Sequence, residues 1–558
     1  MFVSKKEQFL ADWILAWMPF LVLFIAFPIA IYVPNQVEFE YRLATVGTLI
    51  AAGFAMLICL LALYWLKPGL RTSVAHGLFF FGLFILLSDT IAPLQWGEFT
   101  GEEKLTEPLR HSFIEVGLAV LLLVLWLKLS SRVVRALGVS LVVTVLAFQL
   151  LILTRAVPEA IAFARNPDSG ASRTAQILPA KLTNIYHFCF DGYSSLLFPR
   201  HVEVHGLKDH LNGFVFFPLT LANYITTADS VPSFMTGRLL PGLSATTFFR
   251  NARRAGLRRA LQDGGYQIVL YVPNSAGPWS YYNPSYFRSA VQLDKEQSNQ
   301  TSASRLATIA FVRAAPTLLK QETLIASDAV FRRVASLGRS ATEVPLVEEL
   351  LADEADRPAS GQYVYVHVNI PHPPYLYAAD CNWGESNYAA QASCAALLMK
   401  KIVQRLKDLG RYENSLIIFQ SDHGWHDRSD SVESAFPPFP EEIGERLNKD
   451  FEFPIHGWRP QDAYFKRMHA LLAIKPPGTK NVPLHISSRQ TQLADVAPTI
   501  YDLVGISGPP TDGQSPFSIP ESVAREIHLF HRARDHFVHF SYTAGQGWQL
   551  YPDVPNSD

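Results

Sequence analysis

The chain has 558 residues, 49% of them hydrophobic and 17% charged, with a formal net charge of -1. This length accommodates two or three domains, and the balanced charge, with no basic face, gives no footing for nucleic acid as a partner. The apolar residues are unevenly spread and concentrate before residue 157. Stretches at about 13–33, 43–66, 76–94, 113–129 and 137–157 are each long enough to span a bilayer. The first lacks an evident cleavage site and is followed by four more, so it reads as an uncleaved anchor rather than a signal peptide. Lys5 and Lys6 precede it, Lys67 and Arg71 join spans two and three, and Lys128, Arg132 and Arg135 join spans four and five. Glu98, Glu102, Glu103 and Glu107 make an alternate loop acidic. The positive-inside rule therefore predicts a cytoplasmic N-terminus and places everything after residue 157 outside. Asp89 and Glu115 are the only acids within these stretches, both near span ends, too few to mark a transport path.

Residues 158–183 are polar and aperiodic, as expected of a linker. From residue 184 short apolar runs alternate with helical stretches, predicting an α/β domain over 184–508 with a mixed, mostly parallel central sheet. The runs predict strands at 185–190, 267–272, 363–368, 416–420 and 470–474 and helices at 252–264 and 392–409. Residues 304–337 interleave apolar and basic side chains, which suits either an amphipathic element at the bilayer surface or a helix covering the sheet. The tail, 509–558, is expected to pack on or extend the α/β domain. Cys59 and Cys189 read as small core residues. Cys381 and Cys394 lie close enough in sequence to form a disulfide in an oxidising compartment.

The chemistry-bearing residues follow the strands. Asp422-His423-Gly424 ends the run 415–421 and Asp191 ends the run 184–190. Carboxyl ends of strands are where open α/β sheets gather ligands, and a carboxylate beside an imidazole suits zinc or manganese, with the glycine leaving the backbone room. A hydroxyl cluster runs from Thr226 to Ser233. Thr227 and Ser230 are both candidate nucleophiles, because a divalent cation and a helix N-terminus together lower a hydroxyl's pKa. His372, among prolines, is placed to donate to a phosphate or a leaving group; His456 is a further candidate, and His469 opens a strand and reads as packing.

In this order Asp191, Thr227, His372 and Asp422-His423, with Asn223-Tyr224 ahead of the threonine, resemble the alkaline phosphatase and sulfatase superfamily. The five-span anchor resembles that of lipoteichoic acid synthase and of the phosphoethanolamine and phosphoglycerol transferases of bacterial envelopes. Thr227-Ala228-Asp229-Ser230-Val231-Pro232 follows the Thr-Ala-x-Ser-Val-Pro of the phosphoethanolamine transferases, which assigns the nucleophile to Thr227. Gln492 to Ile500 resembles the family's Asp-x-x-Pro-Thr segment. The resemblance implies a metal site of Asp191, Thr227, Asp422 and His423, with His372, His456 and Asn223 against the substrate. There are departures. Asp191 stands where those transferases carry glutamate, and their paired cysteines are missing around the threonine. Ser230-Val231-Pro232-Ser233 is followed by Phe234, so it lacks the arginine that formylglycine formation needs. Asn369 stands where two-metal members carry an aspartate, which favours one tightly held ion, although a second is compatible with the pattern.

The resemblance implies a multi-pass protein of the bacterial cytoplasmic membrane with its catalytic domain on the extracytoplasmic side. It would move a phosphoglycerol or phosphoethanolamine group from a phospholipid donor to a glycan or glycolipid through a phospho-threonine. The alternatives are a phosphodiesterase or sulfate-ester hydrolase of the same fold, or a non-catalytic lipid sensor.

Overall fold

The computed structural model describes residues 4–33, 43–91, 109–165, 182–243, 255–272, 286–289, 297–320, 343–373, 375–384, 386–427, 434–450, 458–479, 481–533 and 536–555, with a few isolated positions. The chain divides into two units, one holding Met1–Trp96, Lys104–Pro167 and Asp294–Ser340, the other the remainder.

Among the described residues of the first unit, five helices are long and apolar enough to cross a membrane: α1 (Lys5–Tyr32), α2 (Leu43–Trp65), α3 (Pro68–Ile91), α4 (His111–Lys128) and the first part of α5 (Ser131–Arg165). Helix is the outcome for such runs because lipid offers the backbone no hydrogen-bonding partner. α1 is the most buried of the five, whereas Phe113 of α4 and Leu137 of α5 point outward. Glycines set the close approaches: a Cβ on Gly82 would strike the backbone of Met18 and Pro19, and one on Gly138 would strike Leu15.

Two expectations for this unit need correction. α1 begins before residue 13 and so brings a further acid, Asp12, into the bundle, fully buried. The Asp12 carboxylate accepts from Arg135 Nε at 2.7 Å, Arg135 Nη2 at 3.2 Å, Thr72 Oγ1 at 3.0 Å and Arg71 Nε at 3.4 Å, tying α1 to α3 and α5. Cys59 is exposed on α2 rather than in a core. The described part of the segment from residue 304 packs within this unit, where the sequence leaves a bilayer-surface element and a cover for the sheet both open. Its helix, α7 (Gln297–Ala314), buries Leu306, Ala307 and Ala310 among the apolar side chains of the membrane helices. Arg313 forks onto Asp89 at 2.8 and 2.7 Å, and Thr317 donates to Glu115 from its N–H and Oγ1 at 2.8 and 2.9 Å. Asp89 and Glu115 thus serve as docking groups for this returning segment.

The second unit is built on an eight-stranded sheet. Its strands are β1 (Ile185–Phe190), β2 (Val215–Phe216), β4 (Gln267–Val272), β5 (Tyr286–Ser289), β6 (Gln362–Val368), β7 (Leu416–Gln420), β8 (Leu472–Lys475) and β9 (His485–Ile486), in the order β5-β4-β6-β1-β7-β8-β2-β9. β5, β4, β6, β1 and β7 run parallel, β8 is antiparallel to β7, and β2 is antiparallel to β8. β3 (Thr220–Leu221) and β10 (Thr491–Gln492) form a parallel pair. The tail forms a further sheet from β11 (Glu526–Arg532), β12 (His536–Thr543), β13 (Gly547–Leu550) and β14 (Val554–Pro555). Buried on both faces, the central strands read as continuous apolar runs. One column departs from this. His187 of β1 is held between Tyr363 Oη at 2.9 Å and Gln420 Oε1 at 2.8 Å, and burial pushes its imidazole down to about 3, so it stays neutral. Two residues on, the same face of β1 carries Cys189, and the same period leads to Asp191 just beyond the strand.

The Asp12 knot gives a first prediction. Asp12→Ala strands Arg135 and Arg71 without their acid, and breaking a buried pair by removing one partner costs roughly 3–5 kcal/mol. Thermal unfolding of the detergent-solubilised protein should show a clearly lowered midpoint.

Candidate active site

β1 and β7 are parallel neighbours with Cys189 opposite Gln420, so the register carried two residues on sets Asp191, one residue beyond β1, beside Asp422, two residues beyond β7. Gly192 turns the chain at φ +70° and donates its N–H to Asp422 Oδ1 at 3.0 Å, a conformation that favours glycine. Asp422 Oδ1 also accepts the His423 N–H at 3.0 Å. His423 donates from Nδ1 to the Gly424 carbonyl at 2.7 Å, which leaves Nε2 toward the carboxylates. Nε2 lies 3.8 Å from Asp191 Oδ1 and 3.5 Å from Asp422 Oδ2. Gly424 is required by packing, because a Cβ there would lie 2.5 Å from the His469 carbonyl oxygen and 2.8 Å from that of Lys466.

These three side chains form the group, among the described residues, whose ligand atoms all lie within 4.8 Å of one another, and all three are buried. A cation fits them on physical grounds. Two buried carboxylates and an imidazole lone pair converge, and Asp191 Oδ1 is buried with no hydrogen-bond partner. Burial works to raise the Asp191 carboxyl, but His372 and the hydrogen bond from His367 outweigh it and hold it well below the usual carboxylate range. Such an arrangement of ionised acids is costly unless a positive charge sits among them.

The hydroxyl cluster opens α6 (Thr227–Thr236), which ends at Gly237 in the left-handed region. Thr227 is its first residue and half-buried, with Oγ1 at 2.7 Å from Asp422 Oδ2 and 3.4 Å from Asp191 Oδ2. Ser230 is buried on the next turn and donates to the Asp422 main-chain carbonyl at 2.6 Å, so its hydroxyl is already spent on the fold. Of the two candidate nucleophiles, Thr227 is the one that reaches the carboxylates.

The other expected residues divide. The main-chain N–H of His372 donates to the Asp191 carbonyl at 3.1 Å, and its Nδ1–H donates to the Pro373 carbonyl at 2.7 Å, leaving Nε2 for chemistry. Asn223 contradicts its expected contact with substrate. It is fully buried, donating to Gln492 Oε1 at 2.7 Å and the His528 carbonyl at 2.8 Å, and accepting from Ala494 N at 2.9 Å. The amide bolts the loop before Thr227 to two other segments. His469 is a packing residue, held by the Phe465 carbonyl and Ser434 Oγ at 2.7 and 2.6 Å. His456 lies outside the described residues.

Sequence reasoning did not single out the residues that brace the site. His367, at the end of β6, sets Nε2 3.4 Å from Asp191 Oδ2 and Nδ1 3.1 Å from Tyr365 Oη. Trp425 is buried under both imidazoles, its ring 4.6 Å from that of His372 and 6.1 Å from that of His423. Arg467 lies over the same indole at 4.2 Å, and Tyr375 Oη accepts its Nε1–H at 3.1 Å. α8 (Tyr388–Asp408) supplies Tyr388, whose hydroxyl bonds Gly192 O and Ser194 N at 3.0 Å each, and Gln391, which donates to the His372 carbonyl at 2.8 Å. Cys381 and Cys394 form a disulfide joining α8 to the loop after His372. A tryptophan two residues beyond an Asp-His pair was the available signal for Trp425; the others sit on separate segments.

Two substitutions test this construction. Asp422→Asn removes a carboxylate from the cluster and should lower the metal content of purified protein, read by elemental analysis, from about one ion per chain toward none. Gly424→Ala should force the 466–469 backbone outward at about 1–3 kcal/mol, visible as a lowered unfolding midpoint.

The sulfatase family model matches residues 210–506. No curated protein sequence matches the chain at a significant level. Solved structures with a related fold include the phosphonate monoester hydrolase of Silicibacter pomeroyi, at 14% identity and a TM-score of 0.40 over 66% of this chain and 88% of that one. Another is an alkaline phosphatase superfamily protein from Vibrio parahaemolyticus, at 11% identity and a TM-score of 0.39 over 70% and 90%. A third is the C-terminal periplasmic domain of EptC from Escherichia coli, at 11% identity and a TM-score of 0.36 over 63% and 90%. These likenesses are distant, and the family assignment rests on the sequence match, which takes in α6, His372 and the Asp422-His423 pair. The chain is an enzyme of the sulfatase family, within the alkaline phosphatase superfamily, whose α/β domain follows five helices able to cross a membrane.

Proposed function

We propose that the chain transfers a phospho-head group, phosphoglycerol or phosphoethanolamine, from a phospholipid to a glycan or glycolipid hydroxyl of the bacterial envelope, through a phospho-threonine at Thr227. One observation carries the reading: the Thr227 hydroxyl is the one that meets both Asp422 and Asp191, while Ser230, at the position sulfatases convert to formylglycine, is buried against a main-chain carbonyl. A threonine nucleophile at a carboxylate-imidazole cluster supports phosphoryl rather than sulfuryl chemistry.

Asp191, Asp422 and His423 would hold a divalent ion, zinc or manganese by their donor types, which when bound supplies Lewis-acid polarisation of the threonine and phosphate oxygens. In the first displacement Thr227 Oγ1 attacks phosphorus in line. The Oγ1–P bond forms, the bond from phosphorus to the diacylglycerol oxygen breaks, and the threonine proton passes to Asp422 Oδ2, its partner at 2.7 Å. His372, protonated at Nε2 while Nδ1–H stays on Pro373, gives the leaving alkoxide its proton. In the second displacement the acceptor hydroxyl surrenders its proton to His372 Nε2 and attacks the same phosphorus. The Oγ1–P bond breaks and Thr227 recovers its proton from Asp422. The helix N-terminus beneath Thr227 favours the negative charge that builds up in both steps. The apolar helices support a membrane anchor beside a lipid donor, and the loop charges support a site on the extracytoplasmic face of the cytoplasmic membrane.

The test is diacylglycerol release from labelled phosphatidylglycerol and phosphatidylethanolamine by purified full-length protein. Release from one lipid is expected, lost by about 10²-fold or more in Thr227→Ala and on removal of metal by chelation. The lipid that reacts names the head group, and release with water as sole acceptor would make the enzyme a phosphodiesterase. Metal-loaded protein that releases nothing from either lipid would overturn the phospholipid donor.

A further inference from the structure

The tail sheet lies beyond the segment matched by the family model, yet alternate residues of β11 run along the loop that delivers Thr227. The His528 carbonyl accepts from Asn223 Nδ2 at 2.8 Å, and Phe530 N donates to the Asn223 carbonyl at 2.8 Å. The Phe530 ring stacks on Tyr224 at 5.4 Å. At the end of the strand Arg532 forks onto Asp229, with Nε to Oδ2 at 3.1 Å and Nη2 to Oδ1 at 2.6 Å, and Nη2 also donates to the Leu243 carbonyl at 3.0 Å. Residues 528, 530 and 532 thus grip 223, 224 and 229 in order, with Arg532 adding Leu243.

Asp229 is the third residue of α6 and is buried. Thr226, at the N-cap, makes no capping bond to the helix backbone; its hydroxyl goes to Asp229 Oδ2 at 3.1 Å. The first helical turn therefore takes its pitch from Asp229, and Asp229 takes its place from Arg532. A bidentate guanidinium fixes a carboxylate in direction as well as distance. It also cancels a negative charge two residues from a hydroxyl that must receive an anionic phosphate. The same strand's approach repeats the device: Arg525 forks onto the buried Asp495 at 2.7 and 2.9 Å, and Asp495 in turn accepts from Gln492 N and Gln514 N.

We propose that Arg532 is a positioning residue for the nucleophile: its fork on Asp229 aims Thr227 Oγ1 at Asp422 and offsets the Asp229 charge. This rests on the transferase reading for its activity read-out. The test compares full-length wild type with Arg532→Met, Arg532→Lys, Asp229→Asn and the Arg532→Met/Asp229→Asn double variant. Steady-state diacylglycerol release and amide hydrogen exchange are both measured. Arg532→Met should lose roughly tenfold or more in kcat with KM changed by less than about twofold. Exchange should rise in peptides covering 226–233 while those covering β1 and β7 stay protected. Arg532→Lys should recover part of the loss, and the double variant should be no worse than Arg532→Met alone, as two residues acting through one contact require. The proposal is overturned if Arg532→Met keeps wild-type kcat and exchange, or if exchange rises equally in β1 and β7. Wild type that releases no diacylglycerol counts against the transferase reading, and the exchange comparison then decides the role of Arg532 by itself.

Discussion

Two buried carboxylates held face to face are the constraint around which the α/β unit is organised. Asp191 and Asp422 come off adjacent parallel strands at the same level, with an imidazole lone pair and one hydroxyl between them. Like charges so placed repel, and the fold tolerates them by spending backbone donors on one and imidazoles on the other. Gly192 and His423 donate their main-chain N–H groups to Asp422, and His372 and His367 hold Asp191 ionised. The unbonded Asp191 oxygen is what remains when that compensation is incomplete. A divalent ion would complete it, and on the proposed reading metal affinity and the reactivity of Thr227 are two consequences of one electrostatic strain.

The surrounding structure keeps these atoms from relaxing apart. Trp425 is wedged under His372 and His423 and is itself held by Tyr375 and Arg467. α8 pins the turn after β1 through Tyr388 and the His372 loop through Gln391. Asn223, Asp229 and the tail sheet hold the nucleophile loop from the other side. Tyr388, Gln391 and the tail sheet reach the site from segments distant in sequence, which is how a site gains the rigidity that preorganised electrostatics demands.

Much of this was legible beforehand, for local reasons. β1, β4 and β7 fall where the apolar runs predict them, because central parallel strands are buried on both faces and leave an unmistakable continuous pattern. The apolar helices announce themselves by length, and the ligand-bearing residues sit at strand ends. What stayed hidden depends on non-local partners. β2 and β9 are two-residue strands with no periodicity to read. The tail's strands bury their residues in runs of up to three rather than in strict alternation, and mix histidines with aromatics, which masks the pattern. Asn223 could be placed beside the site by its neighbours in sequence, but only the fold shows its amide consumed by Gln492, Ala494 and His528. The helix α7 carries an amphipathic signal that fits a bilayer surface as well as the cover of a sheet, and only the fold shows Arg313 and Thr317 bonded to Asp89 and Glu115 of the apolar helices.

The claim on which the rest depends is that Thr227 becomes covalently phosphorylated. The direct measurement is mass spectrometry of the peptide carrying residues 226–238, digested from full-length protein quenched within seconds of mixing with its lipid donor. A mass increase of one phospho-head group, localised by fragmentation to Thr227, is the predicted result. An adduct on Ser230, or turnover of the lipid with no adduct on the quenched enzyme under conditions that trap other phospho-enzymes, would contradict it.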